Sequence, residues 1–97
     1  MDYNIELYQE KSEILKVLAH PIRLCIVRGL MQKESCNVTY MEECLHVSQS
    51  SVSQHLSKLK AAGIVKCIRV GNEKQYQISD KSLQKLISDL FEEERKD

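Results

Sequence analysis

Apolar residues recur along this chain in two rhythms, one helical and one alternating, and their changeovers mark the elements. Ile5, Tyr8, Ile14, Leu15 and Leu18 follow a loosely helical spacing that breaks at Ala19, His20 and Pro21. Proline suits the first turn of a helix, where its missing N–H would have had no partner. A second helix is therefore expected from Pro21, and Ile22, Leu24, Cys25, Ile26, Val27 and Leu30 nearly surround it, the pattern of an element buried on most sides. Thr39 followed three residues later by Glu42 reads as a capping box and predicts a short helix over 40–45. Ser48 can cap the next helix, in which Val52, Leu56 and Leu59 share one face and which ends near Gly63. The rhythm then changes. Ile64, Val65, Ile68 and Val70 favour a strand, Tyr76 and Ile78 alternate with polar neighbours in a second, and Gly71-Asn72 can form the tight turn of a hairpin. Leu83, Leu86, Ile87, Leu90 and Phe91 return to helical spacing at the end.

The order of these elements narrows the fold. Only His46, Val47 and Ser48 separate the short helix from the next one, a connection of the length found in a helix-turn-helix, where the first helix braces and the second is presented to DNA. With Val52, Leu56 and Leu59 inward, the outward face carries Ser50, Ser53, Gln54, Ser57 and Ala61, with Gln49 and Lys58 at its margins. Short hydroxyls allow close approach, glutamine can pair with a base edge, and lysine can neutralise phosphate. The hairpin adds Arg69, Asn72 and Lys74 near its tip, as the wing of a winged helix-turn-helix would. The expected fold is mainly α with a small β-hairpin, about five helices plus a two-stranded wing. With one proline, three glycines and no linker or repeat, residues 1–97 read as a single domain.

Composition sharpens this picture. At 42% hydrophobic and 29% charged, the chain falls outside the disordered and membrane classes, and its length leaves little room for an enclosed active site. The absence of a long apolar run and the acidic start MDYNIELYQEKSE point to the cytoplasm, where thiols stay reduced. Fourteen basic and fourteen acidic residues cancel, but not locally. Residues 48–75 carry Lys58, Lys60, Lys66, Arg69 and Lys74 against the single acid Glu73, while both flanks are acidic. Because fields are screened over about 8 Å, a basic middle can attract a polyanion despite a neutral total. A solvated basic surface without a partner is the bland alternative.

The runs ILKVLAHPIRLCIVRGL and VSQSSVSQHLSKLKAAGIVKCIRVGNEKQYQIS resemble the ArsR/SmtB family of bacterial winged-helix repressors over roughly residues 14–91. The motifs that carry the likeness are LAHPIRL, SQSSVSQHLSKL, the GIV that opens the wing, and Tyr76 in its second strand. The resemblance implies a homodimer joined through its first and last helices, bound to an inverted repeat in double-stranded operator DNA and released when an inducer is sensed. It also implies that Gln49, Ser50, Ser53 and Gln54 face the major groove, with Arg69 and Lys74 on the wing. The stripe Leu83, Leu86, Ile87, Leu90 and Phe91 is the expected dimerisation face.

Departures from the family matter as much. Many members sense metals through a C-x-C thiolate pair at the start of the third helix, where this chain has Asn37 and Thr39, and others use histidines in the last helix, where it has none. Neither family metal site is expected, and no cofactor is called for. Cys36, in the polar loop KESCNVT, is expected to be exposed and reactive, and with Cys44 it forms a candidate sensing pair for a thiol-reactive or soft-metal inducer. His46 could join them as a ligand. Cys25 and Cys67 read as small buried hydrophobes. His20 reads as a cap or packing residue, and His55 as touching either a phosphate or a local backbone group.

An enzyme reading finds no Gly-rich phosphate loop, nucleophile elbow or triad spacing. The stronger rivals are a winged-helix protein-interaction module, which the acidic tail FEEERKD could serve, and a repressor controlled only by its own abundance.

Overall fold

The computed structural model describes Met1 and residues 3–92. Most of the tail FEEERKD lies outside the described residues. Helix α1 spans Ile5–Leu18 and is capped by Asn4, whose side chain accepts the Leu7 N–H at 3.2 Å. Pro21 opens α2, Pro21–Lys33, as its fixed φ favours. His20 is the N-cap, its Nδ1 accepting the Ile22 N–H at 3.1 Å. Ile26, Val27 and Leu30 bury α2 in the centre of the domain, but Cys25 is exposed. The expectation of burial on nearly all sides is corrected here: α2 has an open side, and Cys25 lies on it.

Helix α3, Val38–Leu45, starts two residues before the capping box suggests. Asn37 takes the N-cap position instead of Thr39, its Oδ1 accepting the Tyr40 N–H at 2.8 Å. Both residue types cap well, so the local signal was ambiguous. His46, with φ 58, turns the chain, and Ser48 caps α4, Gln49–Ala61, by accepting the Ser51 N–H at 3.2 Å. Val52, Leu56 and Leu59 are buried as their spacing predicts. Full burial of such a side chain contributes about 1.5–3 kcal/mol, so this stripe anchors α4 to the core.

The end of α4 is closed tightly. Gly63, at φ 76, donates its N–H to the Lys60 carbonyl, and Ile64 donates to that of Leu59, the two bonds of a Schellman motif. Leu59 and Ile64 are both fully buried, supplying the apolar contact that accompanies such a stop. The chain enters β1, Val65–Val70, one residue later and returns as β2, Glu73–Ile78. The register pairs Val65 with Ile78, Cys67 with Tyr76, and Arg69 with Lys74. Of the two turn residues only Gly71, at φ 66, is in the left-handed region, the placement expected of a II′ hairpin turn.

One pairing had no local signal. Cys36 forms an isolated bridge with Tyr76, its N–H donating to the Tyr76 carbonyl at 3.1 Å and its carbonyl accepting the Tyr76 N–H at 2.8 Å. Ser35 Oγ donates to Gln75 Oε1 at 2.5 Å, and Asn37 Nδ2 to Glu73 Oε2 at 2.6 Å. The loop before α3 is thus stitched along the outer edge of β2.

Helix α5, Ser82–Leu90, starts beside Asp80, whose carboxylate accepts from both the N–H and the hydroxyl of Ser82. Leu83 and Ile87 complete the core. No buried polar or charged residue interrupts it among the described residues.

Candidate nucleic-acid interface

Gln49, Ser50, Ser53, Gln54, Ser57 and Lys58 are all exposed on α4, as the outward-face reading requires. The first turn of α4 holds no acid, so its unpaired amides and the positive end of its dipole face outward uncompensated. Ser50 Oγ lies 3.2 Å from Ser48 Oγ, tying one face residue to the cap.

The wing adds charge of one sign. Arg69 and Lys74 sit directly opposite each other, an arrangement that repels in an isolated hairpin. Among the described residues, neither they nor Lys58, Lys60 and Lys66 take part in an ion pair. Strand alternation puts Glu73 on the opposite face from Arg69 and Lys74. Its carboxylate accepts from Gln75 and Asn37, which hold its pKa below the usual value. The one acid of the basic segment is therefore turned away from the cations.

A cluster behind α4 braces it. Arg23 of α2 donates from Nε to the Val17 carbonyl at 2.6 Å and from Nη1 to His55 Nδ1 at 3.3 Å. The His55 ring stands 4.5 Å from that of His20, centroid to centroid. Burial first, then His20, Arg23 and Lys58, push the His55 pKa down. His55 thus couples the exposed helix to α2, a role that neither sequence reading, phosphate or local backbone, had given it.

The thiol expectations need correction. Cys36 is buried, at 7% exposure, because the bridge to Tyr76 draws its loop against the wing, and burial pushes its pKa up. Cys44 is exposed and Cys67 half-buried. Among the described residues no three His, Cys, Asp or Glu side chains gather as a metal site, so Cys36, Cys44 and His46 do not converge as ligands.

The apolar stripe of α5 divides between two roles. Leu83 and Ile87 are buried within the chain's own core, and Phe91 is half-buried with the Arg28 guanidinium 4.1 Å above its ring. The first two are therefore not available to a partner. Leu86 and Leu90 are 47% and 59% exposed. They continue onto α1, where Leu15 shares a cleft of about 280 Å3 with Leu86, and Ile5, Leu7 and Tyr8 are exposed as well.

A bracing helix, a short turn, an acid-free outward helix and a cation-tipped hairpin together define a winged helix-turn-helix protein. The chain matches the bacterial regulatory protein, arsR family, over residues 20–66. It is 37% identical over 89 residues to the transcriptional repressor PagR of Bacillus anthracis, covering 90% of this chain and 89% of that protein. The protein belongs to the arsR family of bacterial regulatory proteins. It is also 40% identical over 84 residues to the HTH-type transcriptional repressor SmtB of Mycobacterium tuberculosis, across 87% of this chain but only 62% of that repressor. The crystal structure of PagR superposes with a TM-score of 0.81 at 36% identity, covering 90% of this chain and 99% of that one. A homodimeric winged helix-turn-helix DNA-binding domain from Mycobacterium bovis shares the fold, with a TM-score of 0.81 at 24% identity over 93% of this chain and 82% of that one.

Proposed function

We propose that the protein is a homodimeric transcriptional repressor that binds an inverted repeat in double-stranded DNA. The α4 helices of the two subunits enter successive major grooves. Gln49, Ser50, Ser53, Gln54 and Ser57 approach base edges, Lys58 neutralises phosphate, and Arg69 and Lys74 on the wing reach the flanking backbone. The single observation that carries this reading is the cross-strand pair Arg69 and Lys74, like charges held together with the nearby carboxylate bonded away from them. That arrangement favours a polyanion, which would relieve it. The family supports repression as the outcome. Leu86 and Leu90, together with exposed apolar residues of α1, form the surface between subunits. No helix among the described residues is long and apolar enough to cross a membrane, which accords with action on DNA in the cytoplasm.

The test is binding to duplex fragments from the region upstream of the gene, measured by fluorescence anisotropy over a range of salt. Affinity that falls steeply with salt and exceeds that for random duplex supports the reading. Association with a protein at a salt-insensitive affinity, without duplex binding, would favour the interaction-module alternative.

A further inference from the structure

Three of the four cysteines line one cleft. A depression of about 210 Å3 between α2 and α3 has Cys25, Cys36 and Cys44 in its walls. Leu30 and Met41, both buried core residues, contribute an apolar floor. No acid lines it, and Lys33 is its one cation, with Nζ 4.5 Å from the centroid of the Tyr40 ring. Tyr40 and Cys44 lie one turn apart on α3, and the neighbouring Cys44 thiol is the main cause that pushes the Tyr40 pKa up.

The arrangement selects a ligand chemistry. Cys36 precedes the N-cap of α3 and Cys44 lies in its last turn, so the helical rise separates them by on the order of 10 Å. That is too far for a disulfide, and among the described residues no three His, Cys, Asp or Glu side chains gather there to hold an ion. Cys44 is exposed, whereas Cys36 is buried and its thiol held protonated by that burial. An apolar floor, two exposed sulfurs at Cys25 and Cys44, of which Cys44 stands one turn of α3 from Tyr40, and an ammonium held over the Tyr40 ring together suit a small, flat, conjugated carbonyl compound.

Resting on the repressor reading above, we propose that the α2–α3 cleft is an inducer site for small quinones and similar α,β-unsaturated carbonyl compounds, with Cys44 as the nucleophile and Lys33 beside the carbonyl oxygen. The Cys44 thiolate attacks the β-carbon and forms a C–S bond. The π pair moves onto the carbonyl oxygen, which the Lys33 ammonium stabilises as charge develops. The proton lost by the thiol is returned to the adduct through solvent, and with a quinone the ring then loses the C–H proton at the attacked carbon and becomes the thioether of a hydroquinone. The sum is addition of S–H to the quinone, and no further oxidant is consumed.

Occupancy has a route to the DNA-binding surface. An adduct wedged between α2 and α3 displaces α3, which packs against α4 and whose N-cap residue Asn37 is bonded to Glu73 of the wing. The spacing between α4 and the wing then changes, and both must fit one DNA face.

The experiment uses the full chain and 1,4-benzoquinone at limiting dose, with the modified residue located by peptide mass spectrometry. Cys44 is expected to react at least tenfold faster than Cys25, with a rate that saturates as quinone concentration rises. Gly29→Leu tests the cleft itself. Gly29 lines the cleft and a Cβ there meets nothing within 4 Å, so a side chain can be added at its wall, and leucine is chosen to occupy the space. It should abolish saturation while leaving the circular dichroism spectrum unchanged. Lys33→Met should lower the saturated rate. Adduct formation should release the protein from duplex DNA, and Cys44→Ser should resist release. First reaction at Cys25 or Cys67, a rate linear in quinone and indifferent to Gly29→Leu, or an adduct that binds DNA as tightly as before would each overturn the proposal. If the untreated protein binds no duplex, the repressor reading fails by that result alone, and the inducer role fails with it; the labelling kinetics then decide only whether the cleft binds quinones.

Discussion

Replacing Lys74 by alanine should weaken DNA binding without weakening the protein. Lys74 lies opposite Arg69 across the hairpin, and among the described residues it has no ion-pair partner. Each phosphate contact contributes about 0.9 to the slope of log affinity against log salt. In a homodimer the substitution removes two such contacts, so the slope should become shallower by about 1.8 units. Between about 50 and about 200 mM salt, that difference amounts to roughly a twelvefold smaller loss of affinity than the unaltered protein suffers. The loss at low salt should be similar on operator and random duplex, because phosphate contacts carry no sequence information. Removing one of two facing cations also relieves repulsion in the free protein, so its thermal midpoint should stay the same or rise. Anisotropy titrations at several salt concentrations and a thermal melt test both halves. A slope change near 0.9 would indicate a single contact per complex and contradict two-fold binding. An unchanged slope, or a melt lowered by several degrees, would refute the argument altogether.

Three further outcomes are expected. Leu86→Glu combined with Leu90→Glu should give a folded monomer in sedimentation, with much weaker operator binding although neither residue lies on the DNA face; an intact dimer would remove this surface from the interface. Gln54→Ala should cost on the order of 1–3 kcal/mol on operator and relax specificity, if the amide makes a bidentate base contact, and equal losses on random duplex would show that it reads no base. The His55 pKa is held below its usual 6.5 by burial and by His20, Arg23 and Lys58. Its unfolded form therefore takes up the proton first, so its contribution to stability is present above about pH 6.5 and is lost as pH falls through that value towards the lowered folded pKa. Melts at neutral and mildly acidic pH should show the unaltered protein losing more stability on acidification than His55→Gln, and parallel curves would contradict the linkage.

Much of the architecture was legible because its signals are local. Pro21 at the start of α2, Ser48 at the cap of α4, the stripe Val52, Leu56 and Leu59, and the residues of the hairpin each act within a few positions. The acid-free face of α4 follows from that stripe by geometry alone. The thiols were misread for the opposite reason. Cys36 sits in a polar run, yet it is buried by a pairing with Tyr76 on the other side of the helix-turn-helix, which no local window contains. Cys25 sits among apolar neighbours, but a helical wheel does not say which flank of α2 its neighbours leave open. The regular stripe of α5 could not show that Leu83 and Ile87 would be buried inside the chain while Leu86 and Leu90 would not. His55 was missed because Arg23 and His20 reach it from another helix.

The stitch between Ser35, Cys36 and Asn37 and the edge of β2 also bears on the order in which the chain assembles and opens. Its side-chain bonds join residues 40 and 36 positions apart, closing a loop that contains α3, α4 and β1. The hairpin and the helix-turn-helix close over much shorter stretches, so they can form before that long closure is made. The stitch itself consists of two backbone and two side-chain hydrogen bonds, with the Asn37–Glu73 bond exposed, the Ser35–Gln75 bond part-buried and Cys36 the core residue that it carries. It can open as a local fluctuation while the core around Val27, Val52 and Ile64 stays intact, and the amide protons of Cys36 and Tyr76 would then exchange with solvent well before those buried interior positions.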